Sequence, residues 1–214
     1  MLLAFYTNVC LTDKFQRSLH NPLIGIDYGS KTAGTTVIAF EDGSEVSFLQ
    51  TTKGLDADKW LLAELEQLSP GLIGLDAPLS LPGVFTGLPG EDYFYREADR
   101  LTGAMSPMFL GGLTARAMRL RKMISTTQTE VIETYPGYLA RFVVGLDPGK
   151  YKKDMGYLHP ALERLYQHGL PYACKKAPAN WHQFDALLAL YSANRASKGE
   201  ALSFGNVKEG QIIV

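Results

Sequence analysis

The sequence predicts an α/β fold: a mixed sheet in which an antiparallel meander of three strands continues into parallel strands, flanked by helices. Three observations lead there. Short apolar runs rich in β-branched residues recur along the chain, and two early ones are joined by a hairpin signal. Later runs alternate with amphipathic stretches of helical period. The 214 residues, 46% hydrophobic and 20% charged, provide for one globular core with an insertion.

Residues 1–21 have no clear period and end at Asn21-Pro22, so they read as an appendage, leaving 22–214 as a single domain. Leu23-Ile24-Gly25-Ile26 is a first strand, closed by Asp27 and Gly29. Thr35 to Phe40 is a second, and Asp42-Gly43 after it signals a hairpin into Val46-Ser47-Phe48-Leu49. Between 56 and 68, Trp60, Leu61, Leu65 and Leu68 recur at helical spacing. Leu72-Ile73-Gly74-Leu75 is the next strand, closed by Asp76 and broken by Pro78. A Pro- and Gly-rich loop from 79 to 90 and helices at about 92–101 and 114–124 form a helical insertion over about 80–127. Glu130-Val131-Ile132 is a strand closed by Glu133 and broken by Pro136. Helices follow near 159–168 and 181–197, and residues 207–214 read as a terminal strand.

The bulk numbers exclude several classes. A formal net charge of −1 creates no global field towards nucleic acid or membrane, so any polyanion must be held by a local patch. Two cysteines, Cys10 and Cys174, lie far apart without metal-ligand spacing, which argues against a disulfide framework and for a reducing, cytoplasmic compartment. The first residues lack the basic region of a signal peptide, and no segment reaches the roughly 18 apolar residues of a membrane span. No membrane association is expected.

Three times the chain repeats one device, a short apolar strand ending in a carboxylate and then a Gly or Pro breaker: Leu23–Asp27, Leu72–Asp76 and Val131–Glu133. Neighbouring strands bring such ends to one rim of a sheet, where ligands bind. A fourth acid lies in a helix: between Phe184 and Ala193, Asp185 is the only charged residue. A helix apolar on all sides is buried, and a lone buried carboxylate costs several kcal/mol or more without a partner or metal. Clustered acids repel, and Mg²⁺ or Mn²⁺ relieves that repulsion through oxygen ligands. Two such ions about 4 Å apart support phosphodiester cleavage by water. Asp27, Asp76, Glu133 and Asp185 are therefore the candidate catalytic, metal-ligating residues.

This order (strand–Asp, hairpin, strand–Asp, strand–Glu, helix–Asp) resembles the RNase H-like superfamily, and more narrowly a domain-of-unknown-function family of predicted nucleases with that fold. The matching pieces are Gly25-Ile26-Asp27, Leu75-Asp76-Ala77-Pro78-Leu79, Arg96-Glu97-Ala98-Asp99-Arg100, Glu133-Thr134-Tyr135-Pro136, Tyr151-Lys152-Lys153 and Phe184-Asp185-Ala186-Leu187. They span residues 23 to 214 and leave the opening segment outside. The resemblance implies a metal-dependent nuclease with the four acids as ligands of Mg²⁺ or Mn²⁺ and with DNA or RNA as substrate.

Between Leu101 and Ser125 stand four basic residues, Arg116, Arg119, Arg121 and Lys122, and no acid, an excess suited to a phosphate backbone or to a solvated helix face. Lys150, Lys152 and Lys153 form a second cluster. Arg96, Arg100, Arg116, Arg119, Lys122, Lys152 and Lys153 are the candidate phosphate contacts, although Arg96 with Asp99 and Arg100 also suits an internal salt-bridge group. His182, three residues before Asp185, is a candidate neighbour of the metal site or a helix-start residue. Two rival functions remain. Gly25 to Ser30 is also similar to the phosphate-loop hairpin of actin-like ATPases, which need two copies of this core. A non-catalytic binding module of the same fold is the other. The opening motif is further similar to Holliday-junction-resolvase-like proteins, themselves nucleases.

Overall fold

Two adjacent parallel strands, β1 (Leu23–Asp27) and β4 (Leu72–Asp76), form the centre of the molecule, and their side chains alternate between two different packing problems. Ile24, Ile26, Ile73 and Leu75 point to one face, where they are fully or almost fully buried. Gly25 and Gly74 point to the other. The computed structural model describes residues 21–124 and 129–214, so the expected appendage, Cys10 included, lies outside the described residues apart from Asn21.

The six-stranded sheet has the order β5-β4-β1-β2-β3-β6. Here β2 is Val37–Asp42, β3 Glu45–Gln50, β5 Glu130–Glu133 and β6 Ala173–Cys174. Strands β1, β2 and β3 are the expected antiparallel meander, while β4 and β5 run parallel to β1 on its other side. The hairpin loop is Gly43 and Ser44, with Gly43 at φ +69°, a conformation that favours glycine. The two-residue edge strand β6 pairs with β3 and has too short an apolar run to be read from the sequence.

Helices cover both faces. On the isoleucine face lie α1 (Ala57–Leu68) and α4 (Gly112–Ile124), burying Leu61, Leu65, Ala117 and Leu120. Asp56 starts α1 by accepting hydrogen bonds from the Asp58 and Lys59 backbone N–H groups. Of the helical stretch expected as an insertion over about 80–127, α4 packs into the core, because β4 and β5 are parallel and need a crossover helix between them. What is inserted ends before it, with a 3₁₀ turn (Gly83–Thr86) and two short helices, α2 (Glu97–Thr102) and α3 (Pro107–Leu110).

The glycine face receives α7 (Trp181–Ser197). Its backbone presses directly on the sheet: a β-carbon at Gly25 would lie 2.1 Å from the Ala186 carbonyl oxygen, and one at Gly74 would lie 2.4 Å from that of Ala189. The helix is buried all round, as its composition requires, because α6 (Leu158–Gln167) and α5 (Pro136–Tyr138), which runs on into a π-helical turn, cover its far side. Phe184, Leu187, Leu188 and Leu190 are each fully buried, worth about 1.5–3 kcal/mol apiece.

The expected terminal strand over 207–214 is present but shorter. Ile212–Ile213 (β8) pairs with Ser203–Phe204 (β7) in a two-stranded sheet apart from the main one. The loop between them ties down the insertion, because the Glu209 carboxylate accepts from the Gly83 and Glu97 backbone N–H groups. Among the described residues no helix is long and apolar enough to cross a membrane.

Candidate metal centre

Asp27 and Asp76 are direct register partners at the C-terminal ends of β1 and β4. Each follows its glycine by two residues, so both side chains emerge on the face that carries α7. Asp185 sits one turn into α7, and the glycine contacts bring that turn down to the strand ends. One carboxylate oxygen from each of the three lies within 4.8 Å of the others.

Burial first, then the charge of Asp27 beside it, holds Asp76 well above the usual carboxylate range, against the pull of Lys152. Asp185 is pushed up to about 6, by burial above all; Lys152 draws it down and Asp27 pushes it up. The Asp185 carboxylate is held at both oxygens: the Tyr151 hydroxyl donates to Oδ1, and the Lys152 ammonium lies on Oδ2. His182 Nδ1 is 2.7 Å from Asp27 Oδ2, a hydrogen bond that raises the imidazole pKa above its ordinary value despite partial burial.

Glu133 does not join this group. In the sheet it pairs with Leu75, one residue short of Asp76, so strand alternation turns it away from the α7 face. Both its oxygens are taken by Arg96, Nη1 to Oε2 at 2.7 Å and Nη2 to Oε1 at 2.6 Å, and the Leu79 N–H donates to Oε2. The Arg96 guanidinium is completely buried and also bonds Asp99 twice and Ser80 Oγ, so all five of its N–H donors are used. Of the four expected acids, three form the cluster, and Glu133 stands alongside in an Arg96–Asp99–Glu133 group, near enough for its charge to raise Asp76.

The expected phosphate contacts divide in the same way. Arg96 is internal, and Lys152 belongs to the acid cluster. Arg116 is bidentate to Asp58, donates to the Gly29 carbonyl and lies 4.7 Å from the centre of the Tyr28 ring. Arg100 pairs with Asp92 across the exposed side of the insertion, and Arg96, not Arg100, is the residue bonded to Asp99. Arg119, Lys122 and Lys153 are exposed and make no ion pair among the described residues.

A cleft of about 190 Å³ connects the two acid groups and is lined by Asp27, Asp76, Glu133, Thr134, Met105 and Ile212 among others. Thr134 Oγ1 is buried without a hydrogen-bond partner among the described residues. Tyr151 was not legible as a site residue by composition or period. Its partner, Asp185, is 34 positions away, and only its place in the Tyr-Lys-Lys piece marked it.

No protein-family model matches this chain, and no curated protein or solved structure matches it.

Proposed function

We propose that this chain is a metal-dependent phosphodiesterase of RNase H-like fold, a nuclease in which Asp27, Asp76 and Asp185 hold Mg²⁺ or Mn²⁺. One observation carries this: one oxygen from each of three carboxylates lies within 4.8 Å of the others, and among the described residues one lysine and one histidine pair with them. The donor set fits such an ion. All three ligands are hard oxygens, and an ion at about 2.1 Å from each needs donors no more than about 4.2 Å apart, which slight side-chain closure achieves. The strand order and directions support the fold assignment, with an antiparallel β1-β2-β3 meander and parallel β4 and β5 beside β1.

A bound divalent ion would supply Lewis acidity towards a phosphoryl oxygen and an attacking water. The chain's own residues do the rest. The sheet rim fixes Asp27 and Asp76 without loop freedom, and His182 orients Asp27 from behind, as outer partners of metal ligands do. Tyr151 holds Asp185. Exposed Lys153, on the loop that carries Tyr151 and Lys152, and Arg119 and Lys122 on α4 provide positive charge for a nucleic-acid backbone.

Mn²⁺ titration calorimetry on wild type and Asp27→Asn, paired with cleavage assays on DNA and RNA, tests this. Wild type is expected to bind the ion and cleave, the variant to lose both, and EDTA to abolish activity until metal is restored. Full activity in chelator would sink the assignment.

A further inference from the structure

The lysine within the acid cluster is held there by more than charge. Lys152 has φ +64°, in the left-handed region that side chains other than glycine's rarely adopt. Such a backbone is unfavourable for a residue with a β-carbon and persists where surrounding contacts demand it. Those contacts are visible. The preceding residue, Tyr151, is buried, with its ring edge-on to Trp181 at 5.4 Å and to Phe184 at 6.4 Å. Its hydroxyl reaches one oxygen of Asp185. The turn at Lys152 then sends the next side chain to the other oxygen, with the ammonium 5.4 Å from the centre of the Tyr151 ring. Two consecutive residues thus clamp one carboxylate, and one of them delivers a fixed positive charge to the cluster.

We propose that the Lys152 ammonium is a resident cation of the carboxylate centre, occupying the place of a second divalent ion, so that the chain binds one metal ion per molecule. This rests on the phosphodiesterase reading above and departs from a two-ion site. Charge supports it: one divalent ion together with the ammonium neutralises three carboxylates, whereas a second ion would leave two positive charges in excess. Ligand supply supports it too. Asp185 already accepts from Tyr151 and Lys152, and Glu133, the fourth acid a second ion would draw on, is committed to Arg96. Lys152 is thereby a positioning residue, setting the orientation of Asp185 and the number of ions admitted.

The test is Mn²⁺ stoichiometry, by calorimetry and by electron paramagnetic resonance, on wild type, Lys152→Met, Lys152→Gly and Lys152→Arg. The Gly variant removes the ammonium while relieving the backbone, so it guards against a folding defect in the Met variant. Expected are one ion per chain in wild type and in Lys152→Arg, with a mononuclear signal, and two ions with a spin-coupled signal in Lys152→Met and Lys152→Gly. Two ions in wild type would overturn the proposal and leave the phosphodiesterase reading standing. One ion bound with unchanged affinity in both the Met and Gly variants would also overturn it. No ion in wild type would remove the phosphodiesterase reading itself, and this proposal with it.

Discussion

Two acid groups contribute to the same cleft, Asp27 and Asp76 from one and Asp99 and Glu133 from the other, and they are built on opposite principles. In one, Asp99 and Glu133 share a buried arginine whose five donors are all satisfied. In the other, Asp27, Asp76 and Asp185 face, among the described residues, one lysine whose side chain is half exposed and a histidine at the edge. The first group locks the insertion onto the end of β5, and its arginine has no donor left for a ligand. The second keeps like charges close together, which stability alone does not favour. A buried acid marks a site when its compensation is incomplete, and incompleteness is visible only from the partners.

The largest expected effect comes from breaking the compensated group. Arg96→Met leaves two buried carboxylates without their cation and should destabilise by about 3–5 kcal/mol in urea denaturation. A loss below about 1 kcal/mol would mean that Glu133 can turn to another partner, and would reopen its place among the metal ligands.

Asp76→Asn should act with the opposite sign. Removing one of three crowded charges leaves the metal-free protein as stable as wild type or roughly 1–2 kcal/mol more stable, a trade common at functional sites. Added Mn²⁺ should stabilise wild type and not the variant, since only binding to the native state shifts unfolding. Marked destabilisation in EDTA would place Asp76 with the structural acids.

pH acts on the three-acid cluster through Asp185 and His182. Asp185 is raised from the ordinary 3.8 to about 6, so in that window the folded chain binds a proton more tightly than the unfolded one. Metal-free stability should therefore fall as pH rises through about 4 to 6. His182, raised above 6.5, is favoured in its charged form by folding, and that contribution is lost as pH rises further. Metal affinity should move the other way, strengthening across the lower window as the ligand deprotonates. Asp185→Asn should flatten the lower part of the stability profile; an unchanged profile would mean that the acid is ionised throughout.

The smallest effects belong to the exposed cations. Arg119→Ala and Lys122→Ala should change stability by less than about 0.5 kcal/mol. If they contact a phosphate backbone, each should lower the salt slope of nucleic-acid binding by about one unit. An unaltered slope in the double variant would make α4 a solvated face only.

The meander, the amphipathic helical stretches and the buried character of α7 were legible because each rests on local periodicity, whereas the crossover role of α4 was not, since it depends on β4 and β5 being parallel. Asp27, Asp76 and Asp185 were legible because each ends an apolar run or interrupts one. Glu133 had the same local signature and a different fate. Its strand is shifted in register so that Glu133 stands beside Leu75, not Asp76, and an arginine 37 positions earlier in the chain meets it there. Four of the seven candidate phosphate contacts, Arg96, Arg100, Arg116 and Lys152, also became partners of acids distant or nearby, since the sequence records charge but not pairing.

By itself the sequence determined the layers, the strand ends and the acids worth explaining, since hydrophobic period and the cost of burying charge act over a few residues. Tertiary structure decided which acids are compensated. Strand register and the glycine-permitted approach of α7 gather three of them, and Arg96 withdraws the fourth. The turn at Lys152 then sets a cation among those that remain. Each of these depends on contacts between residues far apart in the chain, where no local pattern reaches.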